Sequence, residues 1–233
     1  MNPDFLSALL KPSFDLARVD QQIWSILPPE GRAASYDPMA RAYDLLIGNT
    51  IYNKLVWGNW SGLYRDAAAD AVKAIGLGPV LDCGCGSLIF TASAYRQAPL
   101  DHMILFDRSL GMMRRGAKRL PGGQFLQGDA LNLPFADASF ETSFSWGLAH
   151  IFGSKSPLFA ELHRVTKPGG QAFASMLVLA DRRPGDWVLP KLHARGEIAP
   201  PERAEQYQAE FARLFAIESV VVRGNMLFLS GRR

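Results

Sequence analysis

From residue 79 onward the chain repeats one unit: a short apolar run that fits a strand, then a pattern that fits a helix. Pro79-Val80-Leu81-Asp82 is the first run, and it breaks into the turn Cys83-Gly84-Cys85-Gly86. Met103-Ile104-Leu105-Phe106 is the second, residues 124–127 a weak third, residues 140–146 a fourth and residues 171–179 a fifth. Between them, Leu110, Met113, Ala117 and Leu120 share one helix face after the N-cap Ser109, and Leu158, Leu162 and Val165 share another after Ser156-Pro157. Parallel strands need crossovers, and helices supply them, so this alternation predicts a parallel sheet covered on both faces. The last third changes pattern. A helical stripe (Ala204, Tyr207, Phe211, Leu214) leads to two strand-like runs, 218–222 and 226–229, around Arg223-Gly224-Asn225, a hairpin signal. The expected fold is α/β: a Rossmann-like, doubly wound, seven-stranded mixed sheet ending in an antiparallel hairpin.

Residues 1–78 read as an N-terminal helical addition, a lid candidate, ahead of a main domain over 79–233. Leu16, Val19, Ile23 and Leu27 fall at helix spacing before the stop Pro28-Pro29-Glu30-Gly31. A second stretch carries Tyr36, Met39, Tyr43, Leu46 and Ile47, and a third runs over 61–75 to Gly76. With 233 residues, this is one α/β domain with extra helix. A net charge of +3 without a basic run argues against a nucleic-acid partner. The first ten residues lack a signal-peptide pattern, and no stretch reaches the roughly 18 apolar residues of a membrane helix. A soluble, cytoplasmic chain with no membrane span is expected; nothing sets its oligomeric state. Cys83 and Cys85 are badly spaced for a disulfide and too few for zinc, and no cluster shows metal-ligand spacing, so no metal is expected.

The glycine turn alone fits a nicotinamide, flavin or adenosylmethionine site, since glycines let the backbone approach a ligand at the carboxyl end of a strand. Two acids sharpen it. Asp107 follows the second strand and can accept ribose hydroxyls; Asp129 follows the third and can accept from an adenine amine. Either acid alone reads as a helix or turn cap. Three ligand-like groups after three successive strands read as a site.

The motifs resemble those of the class I S-adenosylmethionine-dependent methyltransferases. They are Val80 to Gly86, Phe106-Asp107-Arg108-Ser109, Gly128-Asp129-Ala130-Leu131-Asn132-Leu133-Pro134-Phe135, Ser139-Phe140-Glu141, His163-Arg164-Val165 and Lys167-Pro168-Gly169-Gly170. The likeness spans about residues 79–179 and is greatest to the ubiquinone and menaquinone biosynthesis subgroup (methyltransferase type 11). It implies S-adenosylmethionine as cofactor. Asp82 would orient its amino group, with Gly84 and Gly86 beneath it. Asp107, with Arg108 beside it, would hold the ribose. Met112, Asp129 and Ala130 would meet the adenine, and Ser145 and Trp146 would border the sulfonium and the acceptor. Asp107→Ala is expected to weaken cofactor binding and to leave stability almost unchanged. The chain departs from the family pattern at Leu88, where a third glycine is usual, and at Glu141, where Asp is usual.

Other candidates come from position. Tyr36, in the helical addition, is a candidate for cofactor contact and for catalysis. His150, after the fourth strand, is either a general base or a histidine bonded to backbone. Trp57, Trp60 and Trp187 are candidate walls of an acceptor pocket or ordinary core, and residues 180–201 read as a long loop that serves as a substrate lid. Methyl transfer from a sulfonium needs alignment more than a fixed catalytic set. The expected activity is therefore methyl transfer to a small, largely apolar or aromatic acceptor. The other readings are a non-catalytic adenosylmethionine-binding partner subunit and a nicotinamide oxidoreductase, against which Asp129 and the Lys-Pro-Gly-Gly run speak.

Overall fold

The computed structural model describes residues 3–33 and 40–233. In chain order its elements begin with α1 (Pro3–Leu9), β1 (Ala17–Arg18), β2 (Ile23–Ser25), α2 (Ala40–Ile47) and α3 (Thr50–Tyr52). α3 runs on into a wider helical turn, Asn53–Trp57, which Gly58 closes at φ +78°. Then come α4 (Gly62–Lys73), β3 (Val80–Cys83), α5 (Ala92–Tyr95), β4 (Met103–Asp107), α6 (Leu110–Arg119), β5 (Gln124–Gln127) and β6 (Phe140–Trp146). The chain ends with α7 (Ser156–Val165), β7 (Thr166–Leu177), α8 (Gly185–Ala194), α9 (Ala204–Ala212), β8 (Ala216–Arg223) and β9 (Met226–Arg232).

One sheet runs β1-β2-β5-β4-β3-β6-β7-β9-β8. From β2 to β7 the pairs are parallel; β1 and the β8–β9 hairpin are antiparallel. Successive residues of the central strands serve opposite faces, as the pleat requires. Val80, Met103 and Leu105 join a core with Ala68, Ala71, Tyr95 and Met113, from α4, α5 and α6. Leu81, Ile104 and Phe106 join another with Leu6, Leu158, Leu162 and Phe211, from α1, α7 and α9. The strand order reverses at β3: the chain moves one way to β4 and β5, then crosses to β6 and β7. The carboxyl ends of β3 and β6 therefore flank the switch point, where an open α/β sheet leaves a crevice. Glu141 helps fix the entry to β3, because its Oε2 accepts the Gly78 N–H at 2.8 Å.

Two expectations need correction. Among the described residues the sheet has nine strands, not seven, because residues 16–27 are not a helix. Asp20 accepts the Gln21 N–H at 2.8 Å and forms a turn, and the free edge of β5 takes β2 as a parallel neighbour, with Ile23 opposite Phe125. Ser25 Oγ donates to Gln127 Oε1 at 2.9 Å across that pairing. A local Asp turn and an open sheet edge outweigh helix spacing. The segment 180–201 is not a structureless loop either, since it holds α8. Asp186 accepts the backbone N–H groups of Ala180 and Arg182 and an N–H from Asn225 Nδ2, tying α8 to the β8–β9 turn. Leu189 is buried with Trp57 and Ile198. Among the described residues, no helix is long and apolar enough to cross a membrane.

Candidate cofactor site

The turn after β3 is built from glycine geometry and bonds to β4. Gly84 stands at φ +82° and Gly86 at φ +55°. A Cβ on Gly84 would fall 2.7 Å from Leu148 Cδ2, whereas none of the described residues lies within 4 Å of where a Cβ on Gly86 would be. One glycine is forced by contact, and the other leaves bare backbone beside open space. Phe106 O accepts from Gly84 N and Cys85 N at 2.8 and 3.0 Å. Asp107 clamps the next layer, accepting Gly86 N–H at 2.7 Å and Ser109 N–H at 2.8 Å. Leu88 keeps the left-handed backbone that a glycine would adopt, at φ +56°. Its side chain is buried beside α6, and that burial compensates a conformation costing about 1–2 kcal/mol.

Asp82, the last acid of β3, is fully buried. Its Oδ2 accepts from Tyr95 OH at 2.9 Å, and that oxygen in turn accepts from Trp146 Nε1 at 2.9 Å. Among the described residues its Oδ1 has no partner, and neither does the buried Ser145 Oγ. Asp82 lies opposite Phe144 in the β3–β6 register, so both unpartnered atoms border the switch point. Burial pushes the Asp82 carboxyl up to about 7; the Tyr95 hydroxyl works against that rise and the nearby Asp107 adds to it. A buried carboxylate with one empty oxygen is a receptor for a cation.

α2 is fastened to this turn. Asp44, 3% exposed, accepts from Ser87 Oγ and pairs with Arg115 and Arg119 of α6. Arg119 also donates to Ser87 O at 2.8 Å. These bonds hold the Asp44 carboxyl below its ordinary value despite its burial. Asp44→Ala leaves two arginines without their shared partner, at an expected cost of about 1–3 kcal/mol in the docking of α2. Hydrogen exchange over residues 40–57 should rise about tenfold or more in the variant; unchanged protection there would show that Asp44 does not fasten the helix.

The structure places the other expected residues as follows. Asp129 stands exposed at the end of β5 and accepts the Leu131 N–H at 2.9 Å, with Ala130 beside it half-buried. Met112 is buried on α6, and Arg108 is exposed while its carbonyl accepts from Gln127 Nε2 at 2.9 Å. His150 keeps a partly exposed edge. Its Nδ1 accepts the Leu177 N–H at 3.3 Å, so the neutral ring carries its proton on Nε2, and burial lowers its pKa to about 4. Trp57 is buried with Leu189 and Ile198, whereas Trp60 and Trp187 are exposed beneath Lys54 and Arg183. Tyr36 lies outside the described residues. Tyr95 and the Asp44 cluster carry no motif; an aromatic on the first helix after a glycine turn is the one local sign of Tyr95.

Residues 80–170 match a family model described as a methyltransferase domain. The chain is 38% identical over 144 residues to a demethylmenaquinone methyltransferase of Renibacterium salmoninarum, covering 61% of this chain and 57% of that protein. It is 34% identical over 161 residues to a demethylmenaquinone methyltransferase of Beutenbergia cavernae, covering 69% and 61%. The match thus spans about three fifths of the length of these curated relatives. In three dimensions the chain resembles the geranyl diphosphate C-methyltransferase of Streptomyces coelicolor, solved with Mg2+, geranyl diphosphate and S-adenosyl-L-homocysteine. The TM-score is 0.62 at 16% identity, covering 86% of this chain and 99% of the other, a likeness of fold.

Proposed function

We propose that this chain is a class I S-adenosylmethionine-dependent methyltransferase and that it transfers the methyl group of S-adenosylmethionine to a small, largely apolar or aromatic acceptor. One observation carries the reading: the unpartnered Oδ1 of buried Asp82, at the switch point of the sheet, beside bare backbone at Gly86. These features fit an elongated nucleoside ligand with a cationic amine at one end. Asp82 holds the amine. Asp107, which follows β4 and accepts the Gly86 and Ser109 N–H groups, stands beside the glycine turn where the ribose would lie. Met112, Asp129 and Ala130 frame the base, and Ser145 and Trp146 stand toward the acceptor.

When bound, the cofactor supplies a methyl group activated by a sulfonium. The protein's part is to align the acceptor with it and exclude water. His150, kept neutral by burial, is a hydrogen-bond donor through Nε2 and a poor base at neutral pH. Of the helices before residue 78, α2 and α3 form the lid, since α1 and α4 are packed in the cores on either face of the sheet. The acceptor class is supported by the two demethylmenaquinone methyltransferases among the relatives. It is also supported by exposed apolar side chains on the lid and α8: Leu45, Leu46, Ile51, Leu55 and Trp187. A net charge of +3 favours a small acceptor over nucleic acid, and the setting is read as cytoplasmic.

Methyl-labelled S-adenosylmethionine, incubated with the protein and a fractionated metabolite extract that includes demethylmenaquinone, tests the reading. Label should appear in the organic-soluble fraction. Label confined to RNA, DNA or protein would contradict it.

A further inference from the structure

The Asp82–Tyr95–Trp146 chain has a direction that chemistry fixes. An indole N–H can only donate, so at 2.9 Å from Trp146 Nε1 the Tyr95 oxygen must accept. The single hydroxyl proton of Tyr95 is then committed to Asp82 Oδ2, also at 2.9 Å. Packing holds the three groups in place. Phe144 stacks on Tyr95 at 6.0 Å between ring centroids and on Trp146 at 5.6 Å, and it stands opposite Asp82 in the strand register. Tyr95 is fully buried, so water cannot replace either bond.

We propose that Tyr95 is a positioning residue for the cofactor's amino group, oriented by Trp146: the directed chain Trp146→Tyr95→Asp82 occupies one oxygen of Asp82 and reserves the other, ionised, for a cationic amine. This rests on the methyltransferase reading of the site. Without the Tyr95 proton, Asp82 would present two equivalent oxygens and would hold its own proton more tightly. A protonated carboxyl offers an amine a weaker partner than a carboxylate does. The chain also links the cofactor's amino end to Trp146, at the acceptor end of β6, through two hydrogen bonds.

The groups facing Asp82 work with or against this arrangement in distinct ways. On its own strand and turn, the Cys83 and Cys85 thiols are pushed well above their ordinary range by burial and stay neutral. From β4, Asp107 raises the Asp82 pKa, as burial does. From α5, Tyr95 is itself pushed up, stays neutral, and is the group that lowers Asp82. From β6, Phe144, Ser145 and Trp146 do not titrate. A cationic ligand therefore binds more tightly as Asp82 ionises: affinity climbs as pH rises toward about 7 and levels off above it.

The test is calorimetric binding of S-adenosylhomocysteine, which keeps the amine, and of methylthioadenosine, which lacks it, to the wild type, Tyr95→Phe and Trp146→Phe between pH 5.5 and 9. The ligand's own amine titrates alike for all three proteins, so differences between profiles report the protein. Wild-type affinity for S-adenosylhomocysteine should fall by nearly tenfold per pH unit below the midpoint. Tyr95→Phe should move the midpoint up by about one pH unit, losing about fivefold at pH 7 and about tenfold well below it, and approaching wild type at pH 9. Trp146→Phe should move it the same way by less, and it reads the profile independently if Tyr95→Phe does not fold. Methylthioadenosine binding should show no such pH-dependent difference between the three proteins. Superimposable profiles would overturn the proposal. So would an equal loss for both ligands at all pH values, which marks a merely structural role. A wild type that binds neither ligand would remove the methyltransferase reading itself, and this proposal with it.

Discussion

Asp82→Asn should stabilise the protein above pH 7 while removing most of its cofactor affinity. The Asp82 carboxyl has an ordinary value of 3.8 in the unfolded chain and about 7 in the fold. Between those values the folded state holds a proton that the unfolded state has released, so stability falls as pH rises. The penalty is absent below about pH 4, accumulates toward pH 7 and is complete above it. Three pKa units set a ceiling on the order of 4 kcal/mol. The Asn oxygen still accepts from Tyr95, but its amide N–H groups lack partners, so the expected net gain is about 1–3 kcal/mol. The variant's urea midpoint should lie below that of the wild type at pH 4 and above it by pH 8. A variant less stable at pH 8 would show that the buried charge is compensated. Loss of the charge-assisted contact should cost about 1.5–3 kcal/mol of binding, roughly 10- to 150-fold.

Asp107→Ala should damage both folding and binding. From sequence alone it reads as a residue that faces a ligand, whose loss leaves stability intact. The structure corrects this: its two oxygens hold the N–H groups of Gly86 and Ser109, one in the glycine turn and one at the cap of α6. Removing them should lower stability by about 1.5–3 kcal/mol without any ligand, in addition to the loss of the ribose contact. Thermal midpoints of the ligand-free protein measure the first effect and titration the second. An unchanged midpoint would mean that water replaces both bonds.

The legible part of this molecule is the part whose logic is local. Gly84, Gly86, Asp107 and Asp129 each sit where an apolar run ends, and a strand end followed by glycine or an acid is visible in a window of a few residues. The hairpin was equally plain from Gly224-Asn225, which joins β8 to β9. The strands at residues 17–25 were hidden, because Leu16, Val19, Ile23 and Leu27 satisfy helix spacing and only the free edge of β5 decides otherwise. α8 was hidden by Pro184 and Pro190, which read as loop although one precedes the helix and the other lies within it. Tyr95 and Asp44 depend on contacts with residues 13 to 75 positions away, and the place of Tyr95 on the first helix after the glycine turn is the one local sign of either. The cofactor frame is thus readable, whereas the second layer that fixes Asp82 and fastens α2 emerges only from packing.

The most direct measurement is a paired titration of the wild-type protein with S-adenosylhomocysteine and NAD, repeated with Asp82→Asn. Saturable binding of S-adenosylhomocysteine is expected, weakened at least tenfold by the substitution, with no response to NAD. Tight NAD binding with no response to S-adenosylhomocysteine, or S-adenosylhomocysteine binding indifferent to Asp82, would contradict the placement of the cofactor at the switch point.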